Sequence, residues 1–239
     1  MARLNPIPLL LAASLFGVTP ALHAAGPKPT AVPDTMEQRL LACATCHGKR
    51  GEGARKNETY PPLAGKTEGY LYNQLLNFRD GRRKYAVMNY VLGFLSDEYL
   101  REIAQYYARL PPAHPPPMTG ASSKVLARGE ALVTQGDASR KLPACDECHG
   151  KSLTGMPPFI PGLVGLSQGY ISRQMGAWKA RNRRAKEPDC MAEIAALLTA
   201  EEISAVGGWL ASLPAPAGAP PPAAQAASLP MECGSITQR

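Results

Sequence analysis

The sequence predicts an all-α protein built from two tandem copies of one small helical unit, and three observations carry that expectation. A five-residue stretch, CATCH at 43–47, returns as CDECH at 145–149. The residues following each motif align with one another. Apolar positions recur at helical rather than alternating spacing, with no alternating run long enough to argue for a sheet.

The alignment of the two copies sets the organisation. Pro61 pairs with Pro161, Gly65 with Gly165, Gly69-Tyr70 with Gly169-Tyr170 and Gln74 with Gln174. Farther on, Met88 pairs with Met191, Leu95-Ser96 with Leu198-Thr199 and Leu110-Pro111 with Leu213-Pro214. Matches at offsets of 100 to 103 over this length are an internal duplication. Between the copies, LPPAHPPPMTGASS reads as a stiff, extended linker. The expected boundaries are a removed signal peptide at 1–25, a first domain at 26–110, the linker at 111–123, a second domain at 124–213 and a Pro/Ala-rich tail at 214–239.

Within each copy the helices follow from local signals. Met36 to Ala42 reads as the last turns of a helix delivering Cys43, and Arg128 to Gln135 has that part in the second copy. From Thr67, the spacing of Tyr70, Leu71, Leu75 and Phe78 gives an apolar stripe of helical period that Gly81 closes. Ser96 caps DEYLREIAQYYARL, and Thr199 with Glu202 forms a capping box before ISAVGGWLASL.

The repeated motif carries the chemistry. Two cysteines three positions apart and an adjacent histidine are the attachment pattern of c-type haem: the thiols Cys43 and Cys46, or Cys145 and Cys148, bond the porphyrin, and His47 or His149 binds the iron. A zinc site needs further Cys or His ligands, and the other two histidines, His23 and His114, lie outside both units. A thioredoxin-like dithiol needs a βαβ setting and has no use for the histidine. A unit of about 85 residues buries little apolar surface, so a covalent planar cofactor at its centre completes the core, and the apoprotein is expected to be poorly ordered.

Haem c is attached outside the cytoplasm, so this reading requires export. Arg3, an apolar run from Leu9 to Val18 and small residues near Ala24 and Ala25 form such a secretory signal. The run is shorter than the ~20 residues of a spanning helix. The mature protein is therefore expected to be periplasmic.

The second axial ligand is sought among soft donors. After Cys46 and His47, the first copy contains no other His or Cys before the linker, and its one methionine is Met88. Met88 stands seven residues before Leu95-Ser96 and Met191 seven before Leu198-Thr199, so the duplication selects the same position twice. A thioether suits haem iron and raises its potential relative to a second histidine. The alternative, a methionine packed as core filler, fits Met175, which aligns with Leu75. Pro61 and Pro161, 14 and 12 residues after their histidines, are placed to accept the other ring N–H; a plain loop proline is the alternative.

The full chain has a net charge of +7, with basic clusters RDGRRK at 79–84 and KARNRRAK at 179–186. An exported protein has no nucleic acid to meet. These clusters are read as a docking surface for an acidic redox partner, as counter-ions for haem propionates, or as solvated helix ends.

Taken together, these residues resemble the dihaem class I cytochromes c of the cytochrome c4 type, over about residues 36–213. In that family CxxCH holds each haem, a methionine before the last helix is the second axial ligand, and a PxLAG stretch precedes a YLxxQL helix. The matching segments are CATCH, PPLAGKTEGYLYNQL and Met88, then CDECH, PGLVGLSQGYISRQM and Met191. The second copy departs most in EPDCMAEIAA, where a cysteine precedes the methionine. The resemblance implies two tandem class I cytochrome c domains, each wrapped around one covalent haem c, and an electron carrier rather than an enzyme. Its partners would be redox proteins such as a membrane quinol-oxidising complex and a haem-copper oxidase, with room for peripheral membrane association. A dihaem redox enzyme, thiosulfate dehydrogenase-like or peroxidase-like, and a cytochrome subunit of a dehydrogenase complex are the other readings.

Two cysteines remain, Cys190 and Cys233. In an oxidising compartment an even remainder points to a disulfide, which would return a tail with six prolines over 214–230 to the second unit. The rival is a Cys190 thiolate on the iron, which would favour catalysis.

Overall fold

The structure is a computed structural model and describes residues 34–54, 58–117, 120–214, 216 and 229–236. The expected signal segment and most of the tail lie outside the described residues. The described residues belong to one compact unit, Asp34–Arg239.

In the first copy, α1 (Met36–His47) starts at Thr35, whose side chain accepts from the Gln38 amide, and runs through the entire first motif. It is followed by α2 (Glu68–Arg79), α3 (Ala86–Leu92) and α4 (Asp97–Arg109). Ser96 caps α4 by accepting from the Tyr99 amide. Leu100, Ile103, Ala104 and Tyr107, three and four residues apart, bury the inner face of α4. They pack with Leu40, Leu71, Phe78 and Leu92. Gly81, at φ 74°, turns the chain after α2 in a conformation that glycine adopts without strain.

The second copy has α5 (Ser123–Thr134), α6 (Cys145–His149), α7 (Gln168–Lys179), α8 (Cys190–Leu197) and α9 (Ala200–Ser212). The capping box at Thr199 and Glu202 is present in both directions. The core gathers Leu132, Val133, Ile171, Met175 and Leu210, so Met175 is a packing residue. Helices α5 and α9 pack so closely that a Cβ built on Gly129 would lie 2.2 Å from the Ala205 carbonyl oxygen.

Two features differ from the sequence reading. The second motif is not delivered by the helix before it, α5, which Ser122 caps. That helix ends at Thr134, and a tight loop intervenes in which Asp137 and Leu142 exchange backbone hydrogen bonds of 2.7 and 3.0 Å. Gly136, at φ 68°, and Pro143 stop helix continuation, so CDECH forms its own short helix. A two-stranded antiparallel pair, β1 (Gly155–Met156) and β2 (Ile160–Pro161), also appears, with Gly155 opposite Pro161. It is too short to show an alternating pattern.

The two copies meet through repeat-equivalent residues. Segments 82–84 and 182–184 form an antiparallel bridge, Lys84 N donating to Asn182 O at 2.7 Å and Arg184 N to Arg82 O at 2.8 Å. Gly69 lies against Phe159 of the second copy and Gly169 against Glu58 of the first, so at both positions the missing side chain permits the approach.

Candidate haem sites

On α1, Cys43 and Cys46 are one helical turn apart and His47 follows at the end of the helix. Helix α6 repeats the arrangement with Cys145, Cys148 and His149. His47 Nδ1 donates to the Pro61 carbonyl at 2.9 Å, and His149 Nδ1 to the Pro161 carbonyl at 2.8 Å. The prolines singled out in the sequence therefore orient both rings. Burial lowers both histidine pKa values, partly offset by these proline carbonyls. Each neutral imidazole, its Nδ1 proton committed to a carbonyl, leaves a lone pair on Nε2 for a metal. None of the four motif cysteines is in a disulfide, and burial pushes the Cys145 thiol up to about 12.

Met88 sits in the first turn of α3 and Met191 in the first turn of α8, so the "methionine before the last helix" is in both copies on a short helix of its own. A continuous cavity of 670 Å³ runs through both copies. Cys43, Cys46, His47 and Met88 line it in one copy, and Cys145, Cys148, His149 and Met191 in the other. All eight residues expected at the sites are thus brought to one space.

The polar groups around that cavity test whether haem fits. Arg83 and Arg183, 8% and 6% exposed, are repeat-equivalent and line it. Arg83 donates to Gln74 at 2.9 Å, to Gln174 at 2.6 Å and to Tyr170 at 3.1 Å. Arg183 donates to Gln174 at 2.8 Å, to Gln74 at 3.2 Å and to Tyr70 at 3.4 Å. The guanidinium of Arg83 covers the Phe78 ring at 4.4 Å and that of Arg183 the Trp178 ring at 3.7 Å. None of these partners is a carboxylate. Burial, with the charge of Arg83 beside it, holds Arg183 below its usual pKa. Lys66 of the first copy also lines the cavity and donates to the Gly162 carbonyl of the second at 2.9 Å. Desolvation pulls it down to about 8. The indole Nε1 of Trp178 is buried without a partner. Buried cations and an unused donor around an apolar space call for an anion. Haem, a flat apolar ring with two carboxylates, fits: the cysteines and histidines would hold the ring and iron, and Arg83, Arg183, Lys66 and Trp178 the carboxylates.

The basic clusters of the sequence are accordingly not uniform patches. Arg79 and Arg82 pair with Asp80 and Asp97 at the surface, whereas Arg83 and Arg183 face inward. Sequence reasoning named the clusters but not these two members. Their equivalence at an offset of 100 in the repeat was the available signal.

Two helical copies that each frame a CxxCH motif, with the histidine tied to a proline carbonyl, define a dihaem c-type cytochrome. The cytochrome c family model matches residues 38–106. The chain is 38% identical over 203 residues to a thiosulfate dehydrogenase electron acceptor from Thiomonas intermedia, covering 84% of this chain and 87% of that protein. It is 31% identical over 200 residues to cytochrome c4 of Pseudomonas aeruginosa, covering 83% and 94% respectively. The crystal structure of reduced cytochrome c4 from Pseudomonas stutzeri superposes with a TM-score of 0.65 at 27% identity, over 74% of this chain and 96% of that one. The chain belongs to the cytochrome c family, in its dihaem cytochrome c4 type. It is an all-α class I protein with two covalently bound haem c groups, one at Cys43 and Cys46 and one at Cys145 and Cys148.

Proposed function

We propose that this protein is a periplasmic electron carrier in which His47 with Met88, and His149 with Met191, close the axial positions of the two irons. Haem c supplies a one-electron couple; the chain's part is to hold the ring, fix both ligands and exclude water. The observation that carries this reading is the placement of both His/Met sets on one apolar cavity, in repeat-equivalent positions. With both positions closed there is no seat for a substrate, and exchange is outer-sphere. Cys190 is bonded to Cys233, so no thiolate stands beside Met191 and the rival ligation of the enzyme reading loses its donor. Arg83, Arg183, Lys66 and Trp178, which line the cavity from both copies, would hold the haem carboxylates there and so give both redox centres one electrostatic setting. Its donor is a sulfur-oxidising dehydrogenase, as the name of the Thiomonas relative suggests, and its acceptor is a further respiratory redox protein.

The test uses the oxidised holoprotein. Thiosulfate alone should leave both haems oxidised, while thiosulfate with a catalytic amount of a thiosulfate dehydrogenase should reduce both. Sustained thiosulfate oxidation by this protein alone would establish the enzyme reading instead.

A further inference from the structure

The described end of the tail has no counterpart in the first copy. Cys233 is bonded to Cys190, the first residue of α8 and the neighbour of Met191. The next residue, Gly234, donates its amide to the Pro188 carbonyl at 2.9 Å. A Cβ there would lie 2.1 Å from the Glu187 carbonyl oxygen, so the segment is seated against the chain entering α8. Asn73 Nδ2, on α2 of the first copy, donates to the Ser235 carbonyl at 2.9 Å. Leu229, Met231 and Ile236 line the same cavity as Met191.

Helix α8 needs such support. It has eight residues and buries only Ala195 among them. A helix this short with little burial opens at low cost. Among the described residues no such segment covers helix α3, which carries Met88: Val87 and Tyr90 are 53% and 79% exposed.

We propose that segment 229–236 is a strap that positions Met191 on the second haem iron. The Cys190–Cys233 bond fixes the first turn of α8, and Asn73 ties the strap to the first copy. The apolar side chains of Leu229, Met231 and Ile236 keep small ligands from the methionine side. Cys190, Cys233 and Asn73 are positioning residues acting through Met191, and the inference rests on Met191 being the axial ligand. Because the strap reaches both copies, it also couples the seating of the second haem to their docking.

The experiment measures imidazole binding to the oxidised holoprotein, by loss of the methionine-to-iron absorption, together with the midpoint potential of each haem. The double variant Cys190→Ser/Cys233→Ser avoids leaving a free thiol beside the iron. It should bind imidazole at one haem about tenfold faster than the wild type and lower that haem's potential, with the other haem unchanged. Asn73→Ala, which keeps the disulfide and guards against a misfolded double variant, should show a smaller change in the same direction. Wild-type rates in both variants, alongside an opened second haem in Met191→Ala, would overturn the strap and leave the ligation standing. An unchanged spectrum in Met191→Ala would overturn the ligation and the strap with it.

Discussion

Gly129→Ala sets two known effects against each other. In the interior of an exposed helix this change stabilises by about 1 kcal/mol, because alanine is the better helix former. Here Gly129 is buried where α5 crosses α9. The new Cβ would meet the Ala205 carbonyl oxygen at 2.2 Å, its carbonyl carbon at 2.7 Å and Trp209 Cβ at 2.8 Å. Comfortable carbon contacts begin near ~3.5 Å, so the helices must separate by about 1 Å. Two of the obstacles are backbone atoms of a helix and cannot turn aside. The separation loosens Leu132, Val133 and Leu210, each at most 1% exposed. Overpacking of this kind costs about 1–3 kcal/mol, and rigid obstacles favour the upper end, leaving a net loss of about 2 kcal/mol after the helix gain. For a compact unit as long as Asp34–Arg239 that is a fall of about 4–8 °C in the thermal midpoint, read by far-UV dichroism and haem absorption on the holoprotein. Gly208→Ala on α9 is the matched control: its added Cβ meets nothing closer than Gln168 Nε2 at 3.5 Å, so its midpoint should stay or rise. A midpoint for Gly129→Ala at or above the wild type would refute the backbone contact.

Other predictions concern charge. Glu202 accepts from Arg140 and Arg128, and mainly the Arg140 hydrogen bonds pull its pKa down to about 2. Its folded pKa lies below the unfolded one, so the contribution is complete above about pH 4.5 and disappears as pH falls toward 2. Glu202→Gln should cost about 1–2 kcal/mol at neutral pH, allowing for the part-exposed arginines, and unfolding midpoints of variant and wild type should converge toward pH 2; a constant gap would refute the pairing. On the proposed seating of the haem carboxylates, Arg83→Met removes a buried cation beside them, which disfavours the reduced iron. The affected midpoint should fall by about 30–60 mV, where 59 mV is a tenfold shift for one electron, and an unchanged redox titration would show that the guanidinium does not face the haem.

Much of the site was legible because it depends on short spacing. CATCH and CDECH fix two thiols and a ring on one helical face whatever surrounds them, and the duplication singled out Met88, Met191, Pro61 and Pro161 by position alone. An even remainder of cysteines pointed to the Cys190–Cys233 bond and left a Cys190 thiolate as its rival. What stayed hidden depends on how the copies pack. Arg83 and Arg79 lie in one basic run, and nothing local says that one turns inward to Gln174 while the other pairs with Asp97. The separate helix α6 was missed because the loop closed by Asp137 and Leu142 has no equivalent in the first copy. The donation from Asn73 to Ser235 joins positions 162 residues apart, beyond any periodicity argument.

The central claim is that Met88 and Met191 close the two irons. Proton NMR of the fully reduced holoprotein tests it directly, because the methyl group of an iron-bound methionine lies over the porphyrin and its signal moves far upfield. Two such signals are predicted, with Met88→Ala deleting one and Met191→Ala the other. Fewer than two in the wild type, or both surviving either substitution, would contradict the account.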